Sequence, residues 1–109
     1  MVKDVTPGQA NILIQANQGN AGFVILDVRT PQEYAEGHIQ GAINIDYNAS
    51  GFQNKVGKLD KTKTYLVYCH TGIRSAAASK IMVSLGFKNV NNMTGGITDW
   101  QSLGFAVVK

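Results

Sequence analysis

The residues best suited to chemistry lie in one short segment, Cys69-His70-Thr71-Gly72-Ile73-Arg74-Ser75. Cys69 is the only cysteine among the 109 residues. A thiolate is the reactive form of cysteine, and a nearby cation or helix N-terminus favours it over the neutral thiol. Arg74 supplies a permanent cation in the same segment. The segment therefore predicts a nucleophilic cysteine, although a lone cysteine beside a strand is more often a small buried hydrophobe.

The neighbours of the cysteine suggest a loop folded around an anion. Gly72 permits a positive φ or a close backbone approach. The guanidinium of Arg74 has five donors, so it can bind an anion, form an ion pair with a carboxylate, or do both. His70 is either a cation or proton carrier of the loop or an exposed side chain. The hydroxyls of Thr71 and Ser75 can donate to a bound anion, and Ser75 equally suits the start of a helix.

The solitary cysteine also excludes several classes of site. An internal disulfide, a Cys-x-x-Cys redox pair and a multi-cysteine zinc or iron–sulfur site each need more than one cysteine. No resolving thiol is present in the chain, so any group formed on Cys69 must leave with an external partner. Covalent chemistry on Cys69 needs neither a metal nor an organic cofactor, so none is expected.

Apolar runs and capping signals alternate along the chain. Strands are predicted over residues 23–28, 42–45, 65–69 and 89–91, and helices over 6–17, 31–36, 51–59, 75–85 and 97–103. Strands that alternate with helices indicate an α/β fold with a parallel sheet covered on both faces. Binding sites in such sheets lie at the carboxyl ends of strands. Cys69 ends a predicted strand, so it is expected at such an edge.

Length and composition restrict the wider function. The chain suits one domain, residues 1–109. No apolar run approaches the roughly 20 residues of a membrane span, so no membrane partner is expected. The first residues lack a secretory pattern, which favours the cytoplasm, with the periplasm left open because a signal peptide could have been removed. The basic cluster of lysines 55, 58, 61 and 63 lacks aromatic neighbours, so it predicts a solvated surface and no nucleic-acid partner. Nothing in the pattern determines the oligomeric state.

Three segments, in order along nearly the whole chain, resemble the signatures of the rhodanese family of sulfurtransferases. They are residues 27–45, which begin Asp27-Val28-Arg29-Thr30-Pro31-Gln32-Glu33; the loop Tyr68-Cys69-His70-Thr71-Gly72-Ile73-Arg74-Ser75; and a tail of Leu85-Gly86-Phe87, Asn89-Val90 and Gly95-Gly96-Ile97-Thr98-Asp99-Trp100. Each piece alone would be weakly specific. Together they are highly specific.

The resemblance implies a rhodanese-like sheet of about five parallel strands and thiosulfate:acceptor sulfurtransferase activity. Cys69 would carry the sulfur as a persulfide, and Arg74 would attract and orient the anionic donor. Backbone amides of residues 70–74, which include Ile73, would bind the transferred sulfur. The resemblance assigns structural support to matching positions near the site and in the core; these are Asp27, Arg29 and Glu33, a hydrogen-bonded core histidine at His38, and a core anchor at Trp100.

The length of the loop separates sulfur transfer from phosphate chemistry in the resemblance. Four residues lie between Cys69 and Arg74, whereas cysteine phosphatases of the same fold have five. The expected partners are a thiosulfate-like anionic donor and a thiol, cyanide or protein-cysteine acceptor. The alternatives are a persulfide carrier or a partner-docking module with little free turnover, and, with less support, a phosphatase or arsenate reductase.

Overall fold

The chain folds into a central sheet between two layers of helices. A computed structural model describes residues 1–109. The elements in chain order are β1 (Val2–Val5), α1 (Pro7–Ala16), β2 (Phe23–Asp27), α2 (Pro31–Glu36), β3 (Ile43–Asn44), α3 (Phe52–Gly57), β4 (Thr64–Tyr68), α4 (Ile73–Ser84), β5 (Asn89–Met93) and α5 (Gly96–Ser102). The five strands are parallel and lie in the order β1-β5-β4-β2-β3. The predicted α/β class is confirmed.

Alternate residues of β4 show why both faces of the sheet are covered. Leu66 and Tyr68 belong to one apolar cluster, with side chains from α1 and α5. Tyr65 and Val67 belong to a second cluster, with side chains from α3 and α4. A strand whose successive side chains point to opposite faces must be apolar throughout when both faces are buried. β4 therefore lies at the centre of the molecule, and its carboxyl end leads directly into Cys69.

The sequence prediction missed β1. Val2–Val5 is an edge strand that pairs only with β5, from Val2 opposite Val90 to Val5 opposite Met93. Val5 alone of its four residues is buried, so the strand has no apolar run to indicate it. β5 extends to Met93 rather than ending at residue 91 because this pairing continues the ladder.

The start of α4 was also placed wrongly. The helix begins at Ile73, two residues before the predicted start at Ser75. Gly72 has a φ of 102°, and this left-handed residue lets the chain turn into the helix directly. Ser75 is therefore inside the first turn rather than at the cap. The remaining predicted elements are present with bounds that differ by at most two residues. No helix of the structure has both the length and the apolar character required to span a bilayer.

Candidate active site

Cys69 follows the last residue of β4 and lies beneath the loop that leads into α4. Its side chain is buried at 1% exposure and contacts the apolar cluster between the sheet and α4. The sulfur nevertheless has two polar neighbours. The backbone N–H of Gly72 donates to Sγ at 3.1 Å, and the thiol donates to Oγ of Ser75 at 3.4 Å. Cys69 thus faces the loop donors rather than hydrocarbon alone.

The backbone of the loop leaves several amides free around this sulfur. Ile73, Arg74 and Ser75 form the first turn of α4, and their N–H groups make no hydrogen bond inside the protein. First-turn amides have no partner within their own helix, and their partial positive charge stabilises anions. The N–H groups of His70 and Thr71 are also free of internal partners. The loop therefore holds a set of donors that an anionic sulfur can use.

Arg74 is held in this loop by Glu33 of α2. Its Nη1 donates to Oε1 of Glu33 at 2.8 Å and its Nη2 to Oε2 at 3.0 Å. The hydrogen bonds from Arg74 are the main cause that lowers the pKa of Glu33 from 4.5 to about 2. The same pair raises the pKa of Arg74, with smaller contributions from a thiolate at Cys69 and from Asp46. Arg74 therefore forms the ion pair that the sequence allowed, whereas its binding of an anion stays a prediction.

A second, deeper ion pair lies where β2 ends. Asp27 is fully buried, and Arg29 is 5% exposed. Nε and Nη2 of Arg29 donate to the Asp27 carboxylate at 2.7–3.1 Å, and Nη2 also donates to the carbonyl of Gly37 at 2.6 Å. Burial lowers the pKa of Arg29, but its bonds to Asp27 outweigh that effect and raise it. This pair connects the end of β2 to the segment after α2, and a role of Asp27 and Arg29 in supporting the site stays a prediction.

The side chains at the rim of the loop differ in exposure. His70, Thr71 and Ile73 are exposed, and Ile73 keeps 79% of its surface in contact with water. Their contribution to substrate binding therefore stays a prediction about their backbone amides. Ser75 is the one hydroxyl that the structure brings to the sulfur.

His38 and Trp100 lie in different surroundings. His38 is half-buried and does not lie in the core, contrary to expectation. Its ring stacks on Tyr34 with centroids 3.7 Å apart, and its Nδ1 contacts the Tyr34 carbonyl at 2.9 Å. Trp100 is 4% exposed, and its indole N–H donates to the carbonyl of Ala106 at 3.0 Å. Trp100 anchors α5 to the sheet, as expected.

Gly96 is a supporting residue that the sequence reasoning did not single out. It has a φ of 62°, and a Cβ there would lie 2.3 Å from the carbonyl oxygen of His70. The next two amides complete this contact: Ile97 N–H donates to the carbonyl of Cys69 at 2.9 Å, and Thr98 N–H donates to that of His70 at 3.1 Å. The start of α5 thus packs directly on the backbone of the loop that follows Cys69. The Gly95-Gly96 pair was the available signal.

Asn44 is a second such residue. Its Nδ2 donates to the carbonyls of Asp27 at 3.0 Å and Arg29 at 2.9 Å. The side chain therefore holds the backbone of the segment that carries the buried ion pair. Its partners lie 15 and 17 residues away in the chain, so no local pattern indicated them.

Comparison with known proteins places this arrangement in one family. The model of the rhodanese-like domain matches residues 11–103. The thiosulfate sulfurtransferase GlpE of Pseudomonas entomophila is 36% identical over 101 residues, which cover 92% of this chain and 85% of that protein. The chloroplastic thiosulfate sulfurtransferase 16 of Arabidopsis thaliana is 32% identical over 108 residues, which cover 90% of each chain.

A solved structure gives the same result for the fold. The rhodanese-related protein of Thermoplasma volcanium superposes with a TM-score of 0.79 at 33% identity, and the match covers 97% of both chains. The chain therefore belongs to the rhodanese-like domain family, a class of sulfurtransferases.

Proposed function

We propose that this protein transfers a sulfane sulfur from thiosulfate, or a donor of the same kind, to a thiol acceptor through a persulfide on Cys69. The observation that carries the proposal is the position of Sγ. It accepts a hydrogen bond from Gly72 at 3.1 Å and lies at the base of a loop whose other amides are free. Named thiosulfate sulfurtransferases among the relatives support the choice of donor.

In the first half-reaction, the Cys69 thiolate attacks the outer sulfur of thiosulfate. A new S–S bond forms to Sγ, the S–S bond of the donor breaks, and its electron pair leaves with sulfite. The free loop amides stabilise the negative charge of the resulting persulfide, because donors already in position need no reorganisation. Arg74, held by Glu33 beside the loop, orients the anionic donor.

In the second half-reaction, a thiolate or cyanide attacks the outer sulfur of the persulfide. The bond to Sγ breaks, and Cys69 leaves as the thiolate, ready for another cycle. The product is an acceptor persulfide or thiocyanate. This is covalent catalysis with two separate half-reactions, and ping-pong kinetics are its signature.

The burial of Cys69 favours sulfur over phosphate as the group that is transferred. Only 1% of the residue is exposed, and the loop folds over Sγ closely enough for the Gly72 amide to bond it. A single sulfur atom fits such a loop more readily than a tetrahedral phosphate. The four residues between Cys69 and Arg74 agree with this interpretation.

The experiment is an intact-mass measurement after incubation with thiosulfate, followed by an assay of thiocyanate release to cyanide. The parent protein should gain the mass of one sulfur atom and then lose it to cyanide, and Cys69→Ser should gain none. A Cys69→Ser variant with near-normal turnover would refute the proposed mechanism. A parent protein that loads sulfur but releases it to neither cyanide nor small thiols would instead indicate a carrier that serves a protein acceptor.

The cytoplasm is the proposed compartment because the mechanism needs Cys69 as a reduced thiol. Cytosolic thiols are kept reduced, whereas oxidising compartments favour disulfides. Cys69 is a free cysteine that the mechanism requires as a thiolate. Fractionation of cells that express the protein tests this proposal.

A further inference from the structure

A cavity of about 240 Å³ lies against residues 69–74, which we call the catalytic loop after the proposed function, on the side of α2 and α5. We call it the side cavity, and its main lining residues are Arg29, Glu33, Glu36, His70, Ile97 and Gln101. His70 follows Cys69 in the chain, and Glu33 binds Arg74, so the catalytic loop forms part of the wall. Of four larger surface cavities, those of about 400, 440 and 570 Å³ are lined by no charged side chain, and that of about 540 Å³, which is lined by Asp4 and Lys80, has no residue of the loop that follows Cys69.

An unused donor points to an anionic group in this cavity. Arg29 is 95% buried, and its Nε and Nη2 are occupied by Asp27 and Gly37. Its Nη1 makes no hydrogen bond with the protein, yet it is not among the buried atoms that lack a partner. Nη1 therefore keeps some exposure, and because Arg29 lines the side cavity, these N–H groups are the free donors through which it can bind a ligand there. A planar fork of N–H donors is well matched to a carboxylate.

Glu36 adds a negative charge to the wall of the side cavity, opposite in sign to that of Arg29. Glu36 is exposed and takes part in neither of the two ion pairs of the protein. It is the last residue of α2, where the partial negative charge of the helix end disfavours a carboxylate. An ammonium group there would relieve this repulsion. Since the other charges of the wall are paired, a ligand with one carboxylate and one ammonium suits the cavity better than a dianion.

We infer that the side cavity binds the sulfur acceptor, and that this acceptor is a small zwitterionic thiol of the amino-acid type. The inference rests on the proposed sulfur transfer. The carboxylate of the acceptor bonds to Nη1 of Arg29, and its ammonium group pairs with Glu36. The cavity is smaller than the roughly 300–1,000 Å³ of pockets for drug-sized ligands, which suits a molecule as small as cysteine.

The acceptor reacts as in the second half-reaction above. Its thiolate attacks the outer sulfur, the bond to Sγ of Cys69 breaks, and the acceptor leaves as its own persulfide. One S–S bond forms and one breaks, so no external oxidant or reductant is needed. The role of the side cavity is to position the thiolate of the acceptor near the persulfide that the catalytic loop holds on Cys69.

The first test measures binding without any sulfur transfer. S-methyl-L-cysteine carries both charges but has no free thiol, and titration with it should shift the amide resonances of His70 and Gln101. Glu36→Lys should weaken this binding about tenfold, because a weak ion pair is replaced by a repulsion of similar size. Asp4→Lys makes the same charge change on β1, outside the side cavity, and should leave the binding unaltered.

The second test follows sulfur release from the loaded protein to three acceptors. L-cysteine carries both charged groups, cysteamine lacks the carboxylate, and 3-mercaptopropionate lacks the ammonium group. L-cysteine should have the lowest KM. In Glu36→Lys the ratio of the rate with L-cysteine to that with 3-mercaptopropionate should fall about tenfold relative to the parent. Equal preference in parent and variant, or no binding of S-methyl-L-cysteine, would overturn the inference. Binding of this probe without any sulfur loading would keep the side cavity and reject the proposed transfer.

Discussion

Gly96 is a position where one added methyl group would press directly on the backbone of the loop that carries Cys69. A Cβ there would lie 2.3 Å from the carbonyl oxygen of His70 and 2.6 Å from that of Cys69, whereas real Cβ atoms essentially never come closer than 3.0 Å. The loop must therefore move away by roughly 0.7 Å. Both neighbours are backbone atoms, so no side-chain rotation relieves the contact.

The cost of Gly96→Ala has two parts. A left-handed φ costs an L-residue roughly 1–2 kcal/mol. Moving the loop away from α5 also weakens the hydrogen bonds from Ile97 N–H to Cys69 and from Thr98 N–H to His70, each worth about 1 kcal/mol. We expect the free energy of unfolding to fall by about 3–4 kcal/mol.

Urea denaturation measures the loss of stability, and the rate of sulfur loading measures the effect on the site. Gly19→Ala is the matched control, because Gly19 has a φ of 76° but nothing within 4 Å of its Cβ position. It should lose only about 1–2 kcal/mol and load sulfur normally. Gly96→Ala should load more slowly, by up to about 100-fold for a displacement on the order of 1 Å. Equal losses of stability and equal loading rates in the two variants would refute the reasoning.

Two further predictions concern polar groups at the site. Because Arg74 lowers the pKa of Glu33 from 4.5 to about 2, their pair stabilises the fold fully above pH 4.5 and is lost as the pH falls through about 2. Glu33→Gln should remove about 1 kcal/mol or less at neutral pH, and its deficit should shrink in urea titrations over that acid range; a constant deficit would contradict this. Ser75→Ala removes the hydroxyl 3.4 Å from Sγ and should slow sulfur transfer roughly fivefold, since a hydrogen bond is worth about 1 kcal/mol. Ser79→Ala is the control, because it removes from the same helix a buried hydroxyl that has no hydrogen-bond partner, and it should not slow transfer. Equal rates in the two serine variants would show that Ser75 has no part in transfer.

Elements set by local interactions were the most predictable from the sequence. The bounds of α2 agree with the prediction because Thr30 and Glu33 cap it reciprocally: each side chain accepts from the backbone N–H of the other, at 3.1 and 3.2 Å. β2 and β4 are apolar throughout, so their sequences alone indicate burial on both faces. β1 could not be found in this way, since its formation depends on β5, nearly the whole chain away.

The sequence indicated candidate residues for the site but not the long-range contacts that position them. The spacing of Cys69, Gly72 and Arg74 indicated an anion-binding loop, and the structure brings these residues together. The partner of Arg74 lies 41 residues away, so only the folded chain selects Glu33. The side cavity has the same origin, because it combines α2, α5 and the catalytic loop.

The pairing of charges decides what stabilises a negative sulfur in this fold. The sequence suggested that the cation of Arg74 would do so, but both oxygens of Glu33 already bind that guanidinium. Arg29 is likewise committed to Asp27, apart from its Nη1. With these cations neutralised, the stabilisation must come mainly from the amides of the loop, whose directions depend on backbone geometry. A contact such as that of Gly96, which touches only the backbone of the loop, therefore controls the chemistry as directly as a charged side chain would.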